Sequence, residues 1–320
     1  MARFSIGAAI SDAFGLIRRR PVSVFVWGLL LIAPALGSAA MVFPAMGEIL
    51  AEMPVHGGQQ GPDDVMAAPM VGQMMQFQLA SMLLNIGQLL MAVLVYTAVF
   101  RAVLRPRESG FFSLRIGMDE LRVAVVGLAI GIGLYAALLL LVLLGFVVGF
   151  AVFTAGETAL LVGVVCVMVT VMVVAIFLAL ARVSLMAPAS VLYRDFAFVQ
   201  GWRLAAGKMW PLFGLMLVVF LTILVIEAVV FAGAAMIFLA SGATMGIAWM
   251  HMDQAVNPFA GIDTWLVANW YWAVLGGVLA SLVYGVVLTL AVAPFASACR
   301  QLAGSETQPR ADDPSPAPAV

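Results

Sequence analysis

Charge is what this sequence has least of. Only 10% of its 320 residues are Asp, Glu, Lys or Arg, where soluble domains carry about 25%. A chain so poor in charge cannot cover itself with a hydrated surface, which excludes a water-soluble domain of ordinary build. Cysteine and histidine are equally scarce, with two of each. Cys166 lies inside one apolar run and Cys299 at the end of another, so no disulfide framework is expected. The spacings GxxxxGK[ST], HExxH, GxSxG and CxxC are all missing, which disfavours an enzyme. No cofactor is implied, and a formal net charge of −1 gives no argument for nucleic acid.

What is present is apolar: 64% of the chain is hydrophobic. A hydrocarbon core about 30 Å thick is crossed by a helix of about 20 apolar residues, and six stretches qualify, over 22–47, 73–104, 123–154, 158–187, 209–240 and 264–300. An outer-membrane barrel would alternate apolar and polar residues. Runs such as Ala137-Leu-Leu-Leu-Leu-Val-Leu-Leu are apolar on every face, so the fold class read here is all-α and polytopic. Arg18-Arg19-Arg20 ahead of the first apolar run resembles the start of a signal peptide. That run is too long for one and is followed by others, so it reads as a retained span.

The basic residues orient the chain, because loops rich in Lys and Arg stay cytoplasmic. All 15 of them fall on one side of the six-span plan, in the groups Arg3 to Arg20, Arg101 to Arg122, Arg182 to Lys208, and Arg300 with Arg310. The alternate loops carry Glu48, Glu52, Asp63, Asp64, Glu157, Asp253 and Asp263 with no Lys or Arg. A miscounted helix would break this segregation for every later loop. The expected location is the bacterial inner membrane, multi-pass, with both termini cytoplasmic and membrane lipids as the first partners. Protein partners or self-association remain open.

A threefold pattern runs through the basic segments. Ile10, Phe14 and Ile17 form one apolar stripe at helical spacing; Phe111, Leu114, Met118 and Leu121 form a second; Leu192 through Val199 and Trp202 to Ala206 form a third. Such stripes suit helices lying in the headgroup plane. The expected architecture is therefore three repeats of an interfacial amphipathic helix plus a transmembrane hairpin: 1–21 interfacial, 22–302 membrane domain, 303–320 a disordered cytoplasmic tail. Gly127 with Gly131, Gly145 with Gly149, and Ala273, Gly277, Ser281 and Gly285 place small residues at every fourth position, where helices approach closely.

Glu227 is the one acidic side chain deep in an apolar run, which costs on the order of 3 kcal/mol at a helix centre. Glu227, Asn85, Gln88, Thr170, Ser281, Tyr284 and Tyr135 stand 12 to 19 residues in from the nearest basic residue. At about 1.5 Å per residue they occupy one slab, roughly 18–29 Å from the basic ends. Two readings follow: a polar cluster that binds a proton, ion or headgroup, or a hydrogen-bonded glue between helices. On the opposite side His56, Met70, Met74, His251 and Met252 are ligand types that suit Cu(I). Their irregular spacing favours plain apolar use of Met, and no metal site is assigned.

The segments Ile10 to Phe25 and Val199 to Phe213 share a layout, in which an amphipathic turn with an aromatic (Phe14, Trp202) leads through basic residues (Arg18 to Arg20, Lys208) into a span. In this the chain resembles the six-helix membrane domain of some bacterial glycerophosphodiester phosphodiesterases and related families of inner-membrane proteins. The phosphodiesterase domain is missing, so the resemblance implies a membrane module and carries over no catalytic residue. Two functions are therefore weighed: a non-enzymatic module that contacts lipids or proteins, and a transporter or channel-like protein using the cluster around Glu227.

Overall fold

The computed structural model describes residues 4–52, 68–108, 111–154, 156, 158–250 and 270–307. Among these, nine α-helices follow in order, with no strand: α1 Ile6–Arg19, α2 Pro21–Glu52, α3 Ala68–Leu104, α4 Met118–Thr154, α5 Thr158–Val183, α6 Met186–Tyr193, α7 Phe198–Ala205, α8 Met209–Met250 and α9 Trp270–Thr307. The helical choice follows from the solvent: in hydrocarbon a backbone N–H or C=O without a partner costs several kcal/mol, and a helix satisfies both within one segment. Five helices are long and apolar enough to cross a membrane, or six if α1 and the start of α2, which flank a break at Arg20, are counted as one broken span.

The break has a local cause. Pro21 opens α2, where its missing N–H costs nothing, and it pushes Arg20 out of the helical region, so α1 stops at Arg19. Arg18 and Arg19 fill the last turn of α1 and Asp119 and Glu120 the first turn of α4, each sign suited to its end of the helix dipole.

Packing and exposure identify the solvent. In the most apolar 18 residues of α4 nothing is buried, and in those of α5 only 6%. Side chains such as Leu140, Phe146 and Phe153 are more than half exposed on their helix. A surface of this size would aggregate in water; lipid contact is what it fits. The chain is a multi-pass membrane protein.

It divides into two units. The first consists of Met1–Arg19, Tyr96–Leu221 and Thr289–Val320, the second of Arg20–Val95 and Thr222–Leu288. In the second unit, Val24, Trp27 and Leu31 line the buried stripe of α2. A Cβ built on Gly28 would fall on the carbonyl oxygen of Ser281, and one on Gly285 would fall on that of Val24. Two backbones thus touch at paired glycines, since helices in lipid associate by close packing rather than by excluding water. By contrast Gly127, Gly131 and Gly149 have no neighbour within 4 Å, and of the expected small-residue stripe of α4 only Gly145 meets another side chain, Met168.

The first unit packs α4 against α5 and α6, and α7 against α5 and α6. Gly201 of α7 sits so near Met186 of α6 that a Cβ there would stand 2.5 Å from the Met186 Cα. Phe177 of α5 meets Phe213 and Phe220 of α8 edge-on, with ring centroids 6.5 and 6.3 Å apart. α1 is held by the end of α9: Asp12 pairs with Arg300 at 2.8 Å and accepts from Ser297, and the Ser5 N–H donates to Gln301 at 3.1 Å. α9 is helical to Thr307, so residues 303–307, expected as the start of the tail, continue the helix. Residues 308–320 and the acidic loop 53–67 lie outside the described residues.

The amphipathic segments differ from one another. The first is the helix α1, as its stripe predicts. The second, expected as a helix from Phe111, is a 3-10 turn Phe111–Ser113 followed by a non-helical link, Leu114–Gly117. Phe112 and Ser113 take φ of 53° and 57°, a left-handed backbone that no α-helix admits. The third is two short helices, α6 and α7, separated at Arg194, whose φ is 57°.

Candidate functional site

The densest polar chemistry in the described residues lies in the first unit, where α3 ends and α4 begins. α3 delivers Arg101 and Arg105 at its last turn and just beyond it, on neighbouring faces of the helix. The first two turns of α4 deliver Asp119, Glu120 and Arg122. Asp119 gathers three guanidinium groups: Arg122 at 3.0 Å, Arg105 at 3.3 Å and Arg101 at 3.7 Å. Arg101 also donates to Glu120 Oε1 and, at 2.9 Å, to the carbonyl of Ser113. Arg105 donates to the carbonyl of Val191, which ties α6 to the cluster.

Burial makes these contacts matter. The side chains of Arg101 and Glu120 are 6% and 9% exposed, and charges taken so far from water persist only when paired and hydrogen-bonded. The unusual backbone of Phe112 and Ser113 belongs to the same construction, because it turns the Ser113 carbonyl toward Arg101. Among the described residues, Glu120 Oε2 is the one buried side-chain oxygen or nitrogen without a hydrogen-bond partner. It lies 3.6 Å from where a Cβ of Gly117 would stand.

A cavity of about 420 Å³ opens beside this cluster, lined by Arg101, Arg105, Arg115, Arg122 and Arg194 together with Asp119, Glu120 and the backbone turn Ile116 to Met118. Five guanidinium groups face two carboxylates there, a formal excess of three positive charges. No family model, curated protein or solved structure matches the chain. The chemistry of the site therefore has to be read from these residues alone. Planar guanidinium groups such as these are the side chains best matched to oxyanions.

The residues expected to form an intramembrane cluster stand elsewhere. In the second unit Glu227, Asn85 and Tyr284 are exposed on their helices and Gln88 is half-buried. Ser281 is buried and donates to the Gly277 carbonyl of its own helix at 2.7 Å. No hydrogen bond among the described residues joins Glu227 to any of these. In the first unit Tyr135 and Thr170 are exposed, and Thr170 donates to the Cys166 carbonyl one turn back at 2.8 Å. Of the copper-type ligands, His56, His251 and Met252 lie outside the described residues, and the side chains of Met70 and Met74 are likewise undescribed. Among the described residues no group of His, Cys, Asp and Glu could hold a metal, and both cysteines are free.

Reading by sequence used Arg101, Arg105, Arg115 and Arg122 only as markers of sidedness. The signal that marked them as a site was the adjacent pair Asp119-Glu120, two carboxylates side by side between Arg115 and Arg122.

Proposed function

We propose that the chain is a non-enzymatic module of the bacterial inner membrane, with six spans and both termini in the cytoplasm, that works through lipid and protein contacts at its cytoplasmic end. The observation that carries this reading is the buried ion-pair network of Arg101, Arg105, Arg122, Asp119 and Glu120. It stiffens the end of the molecule where basic residues accumulate and presents an anion-binding cavity at headgroup level. Three hairpins, each entered through a basic amphipathic segment, supply the frame. On this view the module is related to the membrane domain of glycerophosphodiester phosphodiesterases by layout, and it carries none of that enzyme's chemistry.

A periplasm-active reporter fused near Gln60 should be active and one fused near Gly304 inactive; the reverse pattern would overturn the orientation. The transporter reading is favoured by one observation: Glu227 is exposed on α8 within a span, where a carboxylate costs on the order of 3 kcal/mol without a partner. Glu227→Gln separates the two. A module keeps its phenotype with normal expression, and loss of a proton- or ion-dependent phenotype would favour transport.

A further inference from the structure

We infer that the arginine-lined cavity binds the headgroup of a phospholipid, holding its phosphate on Arg115, Arg122 and their neighbours and receiving the headgroup's hydrogen-bond donor near Glu120. The position fits: Arg101 and Arg105 close one membrane-crossing helix and Arg122 opens the next, so the cavity stands at the level where phosphates of the bilayer lie. The charge fits as well. Five arginines and two acids line the cavity, and planar guanidinium groups match the oxygens of a phosphodiester two at a time. Its volume, about 420 Å³, lies within the range of about 300–1,000 Å³ found for small-molecule sites.

The acids make the site more selective than a basic patch. Glu120 is more than nine-tenths buried, its Oε1 is taken by Arg101, and its Oε2 has no partner. Buried acceptors are almost always satisfied, so this oxygen marks a place where a donor is absent. Gly117 beside it contributes no side chain, which leaves room at that wall of the cavity. An ethanolamine ammonium or a glycerol hydroxyl brings such a donor a few bonds from the phosphate. A choline headgroup brings none.

This inference rests on the reading of the chain as a membrane module with its basic end at headgroup level, but it is tested apart from it, since binding in detergent does not depend on which way the chain faces. The full chain, purified in dodecyl maltoside and exchanged free of lipid, is titrated with short-chain phosphatidylethanolamine, phosphatidylglycerol and phosphatidylcholine and with inorganic phosphate, and retained ligand is read by native mass spectrometry. The two donor-bearing lipids should bind at least fivefold more tightly than phosphatidylcholine and more tightly than inorganic phosphate. Arg115→Ala, an exposed position whose change leaves the fold intact, should weaken both by about fivefold or more, and Arg115→Lys should restore part of that. Glu120→Gln should bring the donor-bearing lipids toward the level of phosphatidylcholine. Equal binding of all three lipids to the wild type, inorganic phosphate binding as tightly as lipid, or no loss in Arg115→Ala would each overturn the proposal.

Discussion

Replacing Arg101 by Met is the most exacting test of the ion-pair network. The change removes three contacts at once: the bond to Glu120 Oε1, the 3.7 Å approach to Asp119 and the 2.9 Å bond to the Ser113 carbonyl. Asp119 keeps Arg105 and Arg122, so it loses little. Glu120, already with one unpartnered oxygen, would keep a buried charge with no counterion, and removing one partner of a buried pair costs about 3–5 kcal/mol. Arg101→Met should therefore destabilise the protein by about that much. The double variant Arg101→Met with Glu120→Leu removes both charges, so no buried carboxylate is left without its counterion, and what remains lost is one charge-assisted bond to the Ser113 carbonyl, at about 1–3 kcal/mol. Unfolding in mixed micelles, followed by the fluorescence of the seven tryptophans, gives all four corners of the cycle. The double variant should be more stable than Arg101→Met alone. A double variant as unstable as the sum of the two single ones, a coupling below about 0.5 kcal/mol, would refute the argument that burial makes this pair matter.

Asp12→Asn supplies the contrast: its partner Arg300 and Asp12 itself are 47% and 43% exposed, so the loss should stay within about 1 kcal/mol in the same unfolding assay and shrink further in high salt. Gly28→Val should destabilise by at least the roughly 1–3 kcal/mol of ordinary overpacking, because backbone rather than a movable side chain stands in the way, whereas Gly131→Val should be neutral; comparable thermal midpoints for the two would contradict the close approach at Gly28. Trp202→Leu removes the ring over which the Arg182 guanidinium sits at 4.3 Å and should cost about 0.5–2 kcal/mol. A Phe at the same position should recover part of that, measured as the shift in thermal midpoint.

The helical class was legible because it depends on composition and run length alone, and these do not require knowing which residues meet. Counting rise per residue assigns a depth but says nothing of direction around the helix axis. Glu227, Asn85, Gln88 and Tyr284 are counted to one depth, yet Glu227, Asn85 and Tyr284 are exposed, Gln88 is half-buried, and no hydrogen bond among the described residues joins them. Small-residue spacing was a partial guide: Gly127 and Gly131 describe a smooth strip on α4 with no neighbour within 4 Å, while Gly285, which ends the stripe begun by Ala273, makes its close approach to Gly28, a glycine in no such stripe. The second amphipathic stripe misled for another reason. Its periodicity is genuine, but the Ser113 carbonyl is turned to Arg101, 12 positions earlier, and a tertiary bond of that kind leaves no trace in local spacing. The arginines of the site were visible and were used for topology, since a rule that counts charges does not ask which are paired.

The tie between α1 and α9 bears on how the molecule is made. Asp12 and Arg300 are separated by 288 positions, and Ser5 and Gln301 by 296. At about 5–20 residues per second, a ribosome needs roughly 15–60 s to deliver the partner after the first helix has emerged. Throughout that interval α1 is without these partners on α9, while the apolar helices that follow are made one after another. An apolar stripe of this kind suits shelter at a bilayer surface until then, and its buried residues Ala9, Ala13 and Leu16 belong to the finished packing. A substitution such as Phe14→Ser, which has a half-exposed side chain in the finished protein, should then harm the yield of assembled chains more than the stability of those that do assemble.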